Sequence, residues 1–221
     1  MKTILINEKE IDIPSSWNNI TFEKFNRFSK LISSQSNEEE LNEKYAELDE
    51  DVRSLQVSLD NVKLNTKLAC FWSGLPEEEI SMCNIDEVEE ILSSMDFLNE
   101  SYVPIAIDKF KFKGIDYFLP QAGLAKENFG KFIEAEQVEI NNKRLEKGDL
   151  SALPKQMAIL CKRKGEENGL INDDVIDKRV KAFQKMDMAT IWDVAFFLTQ
   201  QESSLMTLSL TYLLQEGIQK Q

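Results

Sequence analysis

Residues 105–120, IAIDKFKFKGIDYFLP, decide the fold class of this chain. Lysines alternate with phenylalanines over 109–113, which is the pattern of a β-sheet with one solvated face and one packed face. Lys113 and Gly114 supply a tight turn, and Pro120 ends the second strand because proline has no N–H to donate to a sheet. The stretch therefore predicts a β-hairpin in which 105–112 pairs with 115–119.

A second stretch, residues 3–14 (TILINEKEIDIP), follows the same plan earlier in the chain. It predicts a hairpin around residues 7–10 that Pro14 closes. After each proline comes a polar linker and then a pair of phenylalanines at i and i+3, which indicates the first turn of a helix. These pairs are Phe22 with Phe25 and Phe129 with Phe132.

The two similar hairpins suggest an internal repeat. An isolated hairpin is only marginally stable in water, so the two are candidates to pair or pack into one sheet, although the sequence leaves that pairing open. We predict a single compact unit over 1–221, with pseudo-repeat halves 1–104 and 105–221.

Helical periodicity accounts for most of the remaining chain. Gly74 fits the end of a helix, and Pro76 with the glutamates after it fits the start of the next one. The predicted fold class is therefore α+β and predominantly helical, with two short β-hairpins each followed by a helix (a ββα repeat) and a helical C-terminal core. The predicted helices cover 22–32, 38–60, 62–72, 86–98, 126–143, 151–161, 174–186, 188–200 and 203–216, with an exposed loop at 165–174.

Charge and composition limit the classes of partner. The chain has 221 residues, a net charge of -13 and 42% hydrophobic residues, which is enough for a substantial core under an acidic surface. Such a surface repels a phosphate backbone, so we expect no nucleic-acid partner. The densest basic run, 155–164, has no interleaved aromatic residues to stack on bases, and we interpret it as a solvated helix end.

Residue types that commonly carry chemistry are scarce. Histidine is absent, which removes the commonest general base and metal ligand. The cysteines Cys70, Cys83 and Cys161 are odd in number and form no C-x-x-C pair, so we expect buried or half-buried thiols in a reducing compartment. Cys161 precedes Lys162 and Arg163, which would favour a reactive thiolate, but it has no base partner and we interpret it as structural.

No recognisable catalytic motif is present in the sequence. It contains no phosphate-binding glycine loop, dinucleotide fingerprint or nucleophile elbow. The acidic clusters at 38–40, 49–51, 77–79 and 173–174 lack the spacing of a calcium loop and are typical of solvated helix starts. We therefore expect no enzyme, cofactor or metal site, and an enzyme with an unrecognised carboxylate pair is the alternative.

Two segments bear on membrane targeting. The N-terminus reaches Glu8 before a signal-peptide hydrophobic region can develop. The most apolar stretch, 191–214, is interrupted by acidic and amide residues and is too short in its apolar runs for a membrane span. We expect it to form core helices.

An acidic arm at 38–60 is the best candidate for partner contact. A charged helix with a thin apolar seam suits docking into a groove or packing against another subunit. The repeated Phe-x-Lys-Phe steps are more typical of core packing than of docking. The contact residues that we predict are Glu38, Glu39, Glu40, Tyr45, Asp49, Glu50 and Asp51.

Several short segments spread along nearly the whole chain carry a resemblance to known proteins. They are 11–14 (IDIP) with Trp17 and Thr21-Phe22; 73–76 (SGLP); 117–120 (YFLP) with 132–137 (FIEAEQ); and 153–154 (LP) with 158–161 (AILC). With these segments the chain resembles structural or assembly proteins of tailed bacteriophages, especially those of crAss-like gut phages. The resemblance implies a noncatalytic virion component of the neck, tail or portal-proximal region, found in the virion or the bacterial host cytoplasm. It also implies partners among other phage structural proteins and a homo-oligomeric ring, and the alternative is a tail assembly chaperone that is not retained in the virion.

Overall fold

The computed structural model describes residues 1–36, 38–120, 129–142, 149–166 and 172–199. The predicted fold class is confirmed, because the chain is mostly helical with short antiparallel strand pairs. The strands are β1 Lys2–Ile6, β2 Lys9–Ile13, β3 Lys109–Phe112, β4 Ile115–Phe118 and β5 Lys162–Arg163. The α-helices are α1 Phe22–Ser33, α2 Glu38–Lys44, α3 Glu50–Ser73, α4 Glu77–Ile80, α5 Ile85–Ser93, α6 Phe129–Asn142, α7 Ala152–Leu160, α8 Asp173–Phe183 and α9 over 188–199.

The chain divides into two compact units. The first contains Met1–Ile20 and Arg27–Ser101, and the second contains Thr21–Asn26 and the described residues from Tyr102 onward. The first turn of α1 belongs to the second unit because it is hydrogen-bonded there. The N–H groups of Phe22 and Glu23 donate to the carbonyls of Met186 and Gln184. The first turn of α1 is thereby held by the residues after α8. The predicted pseudo-repeat halves stay a prediction.

The first hairpin forms as predicted, with a tighter turn. Ile6 pairs with Lys9, so the turn consists of Asn7 and Glu8 alone rather than 7–10. Both turn residues have positive φ, 48° and 65°, as in the type I′ turn whose twist matches that of the strands. Ile4, Ile6 and Ile13 are buried on one face of the hairpin.

The second hairpin uses the same turn geometry, with φ of 48° at Lys113 and 79° at Gly114. Its strands alternate as predicted, with Phe110 buried between exposed Lys109 and Lys111, although β3 begins at 109 rather than 105. The basic run 155–164 was interpreted as a helix end, but its residues Lys162 and Arg163 form β5, which pairs with β4.

Pairing of the two hairpins into one sheet is not observed among the described strands. β1 and β2 form a two-stranded sheet, whereas β3, β4 and β5 form a separate sheet in that order. The described strand that pairs with the second hairpin is β5, along β4. The first hairpin instead contacts α3 and α5, which cover its apolar face.

The helices of the first unit differ from prediction around α3. This helix continues for 24 residues through the break that we placed at 60–62. It ends as predicted at Gly74, which has φ of 75° and donates its N–H to the Cys70 carbonyl. α5 begins with a reciprocal capping box, in which Asn84 and Glu87 each accept from the other's backbone N–H.

The core of the second unit is built around Phe183. Its ring lies 5.1 Å from that of Tyr117 and 5.8 Å from that of Phe110. Phe183 lies on α8, which packs against α7, and α7, α8 and α9 all carry buried apolar side chains. The predicted helix 203–216 and parts of the loop 165–174 lie outside the described residues. Other buried side chains here are Met157, Ile159, Ile176, Met186, Met188, Ile191 and Val194.

Candidate interaction surface

The predicted acidic arm is not one helix. α2 ends at Lys44, and residues 45–49 turn back before α3 begins at Glu50. The guanidinium of Arg53 stabilises this turn, because its Nη2 donates to the carbonyls of Ala46 and Leu48 at 3.1 Å each. A side chain one turn into α3 thus satisfies carbonyls that a continuous helix would have used itself.

Tyr45 and Asp60 tie α2 to α3. The Tyr45 hydroxyl donates to Oδ2 of Asp60 at 2.7 Å, and the Lys44 ammonium lies 3.4 Å from the same oxygen. The hydrogen bond from Tyr45, supported by Lys63 and Lys44, lowers the pKa of Asp60 to about 2. Tyr45 therefore holds α2 to α3 within the arm, and its contact with a partner stays a prediction.

The predicted acidic residues occupy two helix starts. Glu38, Glu39 and Glu40 form the first turn of α2, while Glu50 and Asp51 form the first turn of α3 after the N-cap residue Asp49. Acidic residues at these positions offset the positive end of the helix dipole. Residues 49–51 place negative charge at the start of α3. Lys63 and Lys67 place positive charge further along the same helix.

An exposed apolar row runs along α3 and was only partly visible in the sequence. We define the α3 seam as Leu48, Val52, Leu55, Leu59 and Val62, and each of these side chains is at least 38% exposed, with Leu55 at 71%. Val52, Leu55, Leu59 and Val62 follow one another in steps of three and four residues, which places these four on one stripe of α3. Leu48 lies in the turn that precedes the helix. From the sequence we predicted only a thin apolar seam over 38–60 and assigned Val62 to the next helix, so the predicted row ended before Val62.

A separate apolar cleft lies in the same unit. It has a volume of about 720 Å³, within the size range of ligand pockets. The ring of Phe28 lies 5.1 Å from that of Trp72 in its lining, and the exposed acidic residues Glu89 and Asp96 also line it. This combination would accept an apolar group that carries a nearby positive charge.

A buried ionic cluster in the second unit was not predicted. Arg179 on α8 is fully buried at its side chain, where Nη2 donates to Glu166 and Nη1 donates to the Cys161 carbonyl. Arg163 donates from Nη2 to the Tyr117 hydroxyl at 2.8 Å. Burial opposes ionisation of Glu166, but the hydrogen bonds from the Arg163 N–H and from Arg179 lower its pKa. No local sequence pattern signals such a cluster, since its members come from different elements.

The cysteines match their structural interpretation. Cys161 is fully buried, and burial raises the pKa of its thiol to about 12 despite the opposing effect of Arg179. Cys70 and Cys83 are half-buried, and burial raises the pKa of both. In the described part of the chain, no group of three or more acidic or cysteine side chains converges as a metal site would require.

Comparison of the chain with protein-family models, with curated proteins and with solved structures gave no match. Within the described ranges, no helix has both the length and the apolar content needed to cross a bilayer.

Proposed function

We propose that this protein is a noncatalytic structural component of a tailed-phage virion, in its neck, tail or portal-proximal region, acting through protein–protein contacts. The observation that carries the proposal is the α3 seam, a contiguous row of exposed apolar side chains. Scattered exposed apolar residues are normal on soluble proteins, whereas a continuous row marks an interaction site. The assignment to a phage particle rests on the sequence resemblance.

The chemistry of the seam suits association rather than catalysis. Leucine and valine side chains transfer no protons and bind no metal. Burying them stabilises a complex by about 25 cal/mol per Å² of apolar surface removed from water. Acidic residues 49–51 and Lys63 flank the row and give a contact its orientation.

A tail assembly chaperone is the second candidate, and the cleft beside Trp72 favours it. An apolar cleft that Glu89 and Asp96 help to line suits transient cover of an apolar and basic surface on a client. A chaperone and a virion component differ in whether the protein is retained in the finished particle.

Quantitative mass spectrometry of purified phage particles tests the proposal. The copy number of this protein relative to the major capsid protein is the measured quantity. A fixed stoichiometric ratio is expected for a virion component. Absence from particles, together with abundance in the infected cell, would overturn that role and leave the chaperone.

A pair of variants tests whether the seam is the contact surface. Leu55→Glu places a charge in the seam, and Ser54→Glu places the same charge on the neighbouring residue, about 100° around the helix. Both residues are exposed, so neither change is expected to disturb the fold. Loss of particles with Leu55→Glu alone is expected. Equal particle yields from both variants would remove the seam from the proposal.

A further inference from the structure

The spacing of the α3 seam is that of a coiled-coil interface. Leu55 and Val62 fall at d positions of a heptad, and Val52 and Leu59 fall at a positions, while Leu48 lies in the turn just before α3 begins. A surface helix that packs only within its own domain buries such a row, whereas here the row is exposed. The seam is therefore shaped to receive another helix.

Charge along α3 is divided between its two ends in a self-complementary way. Asp49 and Lys63 both fall at e positions of the same heptad frame, separated by two heptads. In a parallel pair of α3 helices, the acidic turn 49–51 would face its own copy, and like charges would meet. In an antiparallel pair, the acidic end of each helix meets the basic half of the other.

We propose that the α3 seam binds the α3 seam of a second copy of this chain as an antiparallel helix pair. In the register that faces Leu55 with Leu59 of the second copy, Val52 faces Val62, and every layer joins an a position to a d position. The same register brings Asp49 beside Lys63 of the second copy, and the two-fold axis repeats the pair. Apolar layers and charges thus select one register.

The side chains that form these pairs are available. Lys63 is 59% exposed and makes an i,i+3 contact of 3.3 Å with Asp60, which Tyr45 and Lys44 also hold. Asp49 is exposed at the N-cap of α3. Lys63 can therefore turn to Asp49 of a second copy without leaving the Asp60 carboxylate uncompensated. This inference rests on the proposed function, since it names the partner for the same surface.

Light scattering of the purified full chain under reducing conditions tests the pairing. The expected mass is twice the 25.5 kDa of one chain. Leu55→Glu is expected to reduce the mass to that of one chain, and Ser54→Glu is expected to leave the dimer intact. A monomeric parent chain, or a dimer that Leu55→Glu leaves unchanged, would overturn the proposal.

A charge exchange tests the register and guards against simple damage to the helix. Asp49→Lys and Lys63→Asp are each expected to weaken the dimer about tenfold, because each change loses two pairs and creates two like-charge contacts. The double variant is expected to recover the parent affinity. Damage to the monomer would not be repaired in this way, so failure of the double variant to recover would overturn the antiparallel register.

The outcomes separate this inference from the proposed function. A monomer in solution that is present in particles at a fixed ratio would sink the pairing and leave the virion role standing. A protein that is a dimer in solution but absent from particles would overturn the virion role and leave the pairing standing.

Discussion

The hydroxyl of Tyr45 donates a 2.7 Å hydrogen bond to Oδ2 of Asp60, across the turn that separates α2 from α3. The bond joins a residue just after α2 to one near the middle of α3. It holds the C-terminal end of α2 against the longer helix. The geometry at Asp60 therefore decides how firmly α2 is attached.

Tyr45→Phe removes this hydrogen bond while keeping the ring. We expect the pKa of Asp60 to rise from about 2 towards its ordinary value of 3.8, since the Tyr45 hydroxyl is the largest cause of the lowering. NMR titration of the Asp60 carboxyl measures the change. Lys63→Gln removes a weaker contribution and serves as the control, with a smaller expected rise.

The sign of the pH effect follows from the same shift. A lowered folded-state pKa means that ionised Asp60 stabilises the fold above pH 3.8 and that this contribution is lost as the pH falls towards 2. In Tyr45→Phe the part of the acid unfolding that depends on Asp60 should begin at a higher pH. Identical acid unfolding of α2 in both proteins would contradict this assignment.

The first hairpin turn contains a residue that the backbone does not favour. Glu8 has φ of 65°, where a side chain costs about 1 kcal/mol and glycine costs little. We expect Glu8→Gly to raise the free energy of unfolding by about 0.5–1 kcal/mol, measured by urea denaturation. Gly114→Ala, at φ of 79° with no atom close to the added Cβ, should lower it by a similar amount. A loss of stability with Glu8→Gly would show that the side chain contributes contacts.

Local patterns in the sequence predicted the elements whose causes are local. The Lys113-Gly114 turn, the αL stop at Gly74 and the alternation around Phe110 each depend on residues within one turn or strand. The position of the second hairpin in its sheet did not follow, because β5 is distant in sequence and has only two residues. A two-residue strand carries no periodicity.

The candidate site was predicted in part for a similar reason. The acidic starts of α2 and α3 were visible, but the turn between them is fixed by the Arg53 side chain reaching back to Leu48. Val62 was assigned to another helix because a helix break was predicted at 60–62, so the exposed heptad row was not recognised as continuous. Exposure itself is a tertiary property, since the same spacing in a buried helix would be core.

Phe183 anchors the aromatic cluster of the second unit. It is fully buried against Phe110 and Tyr117, so Phe183→Ala should lower the free energy of unfolding by about 3–5 kcal/mol through lost burial and a cavity. Phe196→Ala is the matched control in the same unit, since Phe196 is 40% exposed and should cost less than about 1 kcal/mol. Similar losses from both variants, in thermal or urea unfolding, would argue against Phe183 as the centre of the core.

Arg179 and Glu166 form the ion pair whose loss should be most costly. Arg179 stays charged when its partner is removed, so Glu166→Gln leaves a buried guanidinium without a carboxylate and should cost about 3 kcal/mol at neutral pH. Because hydrogen bonds lower the pKa of Glu166, its stabilisation is complete above its ordinary value of 4.5 and is lost as the pH falls below it.

A double-mutant cycle separates this pair from general damage. Arg179→Met combined with Glu166→Gln removes the buried charge as well, so the double variant should lose less stability than the two single losses added together. Urea unfolding at neutral pH and below pH 4.5 measures the four proteins, and the excess cost of Glu166→Gln should shrink in acid. Additive losses that do not vary with pH would mean that the contact contributes through packing of the Arg179 stem, not through charge.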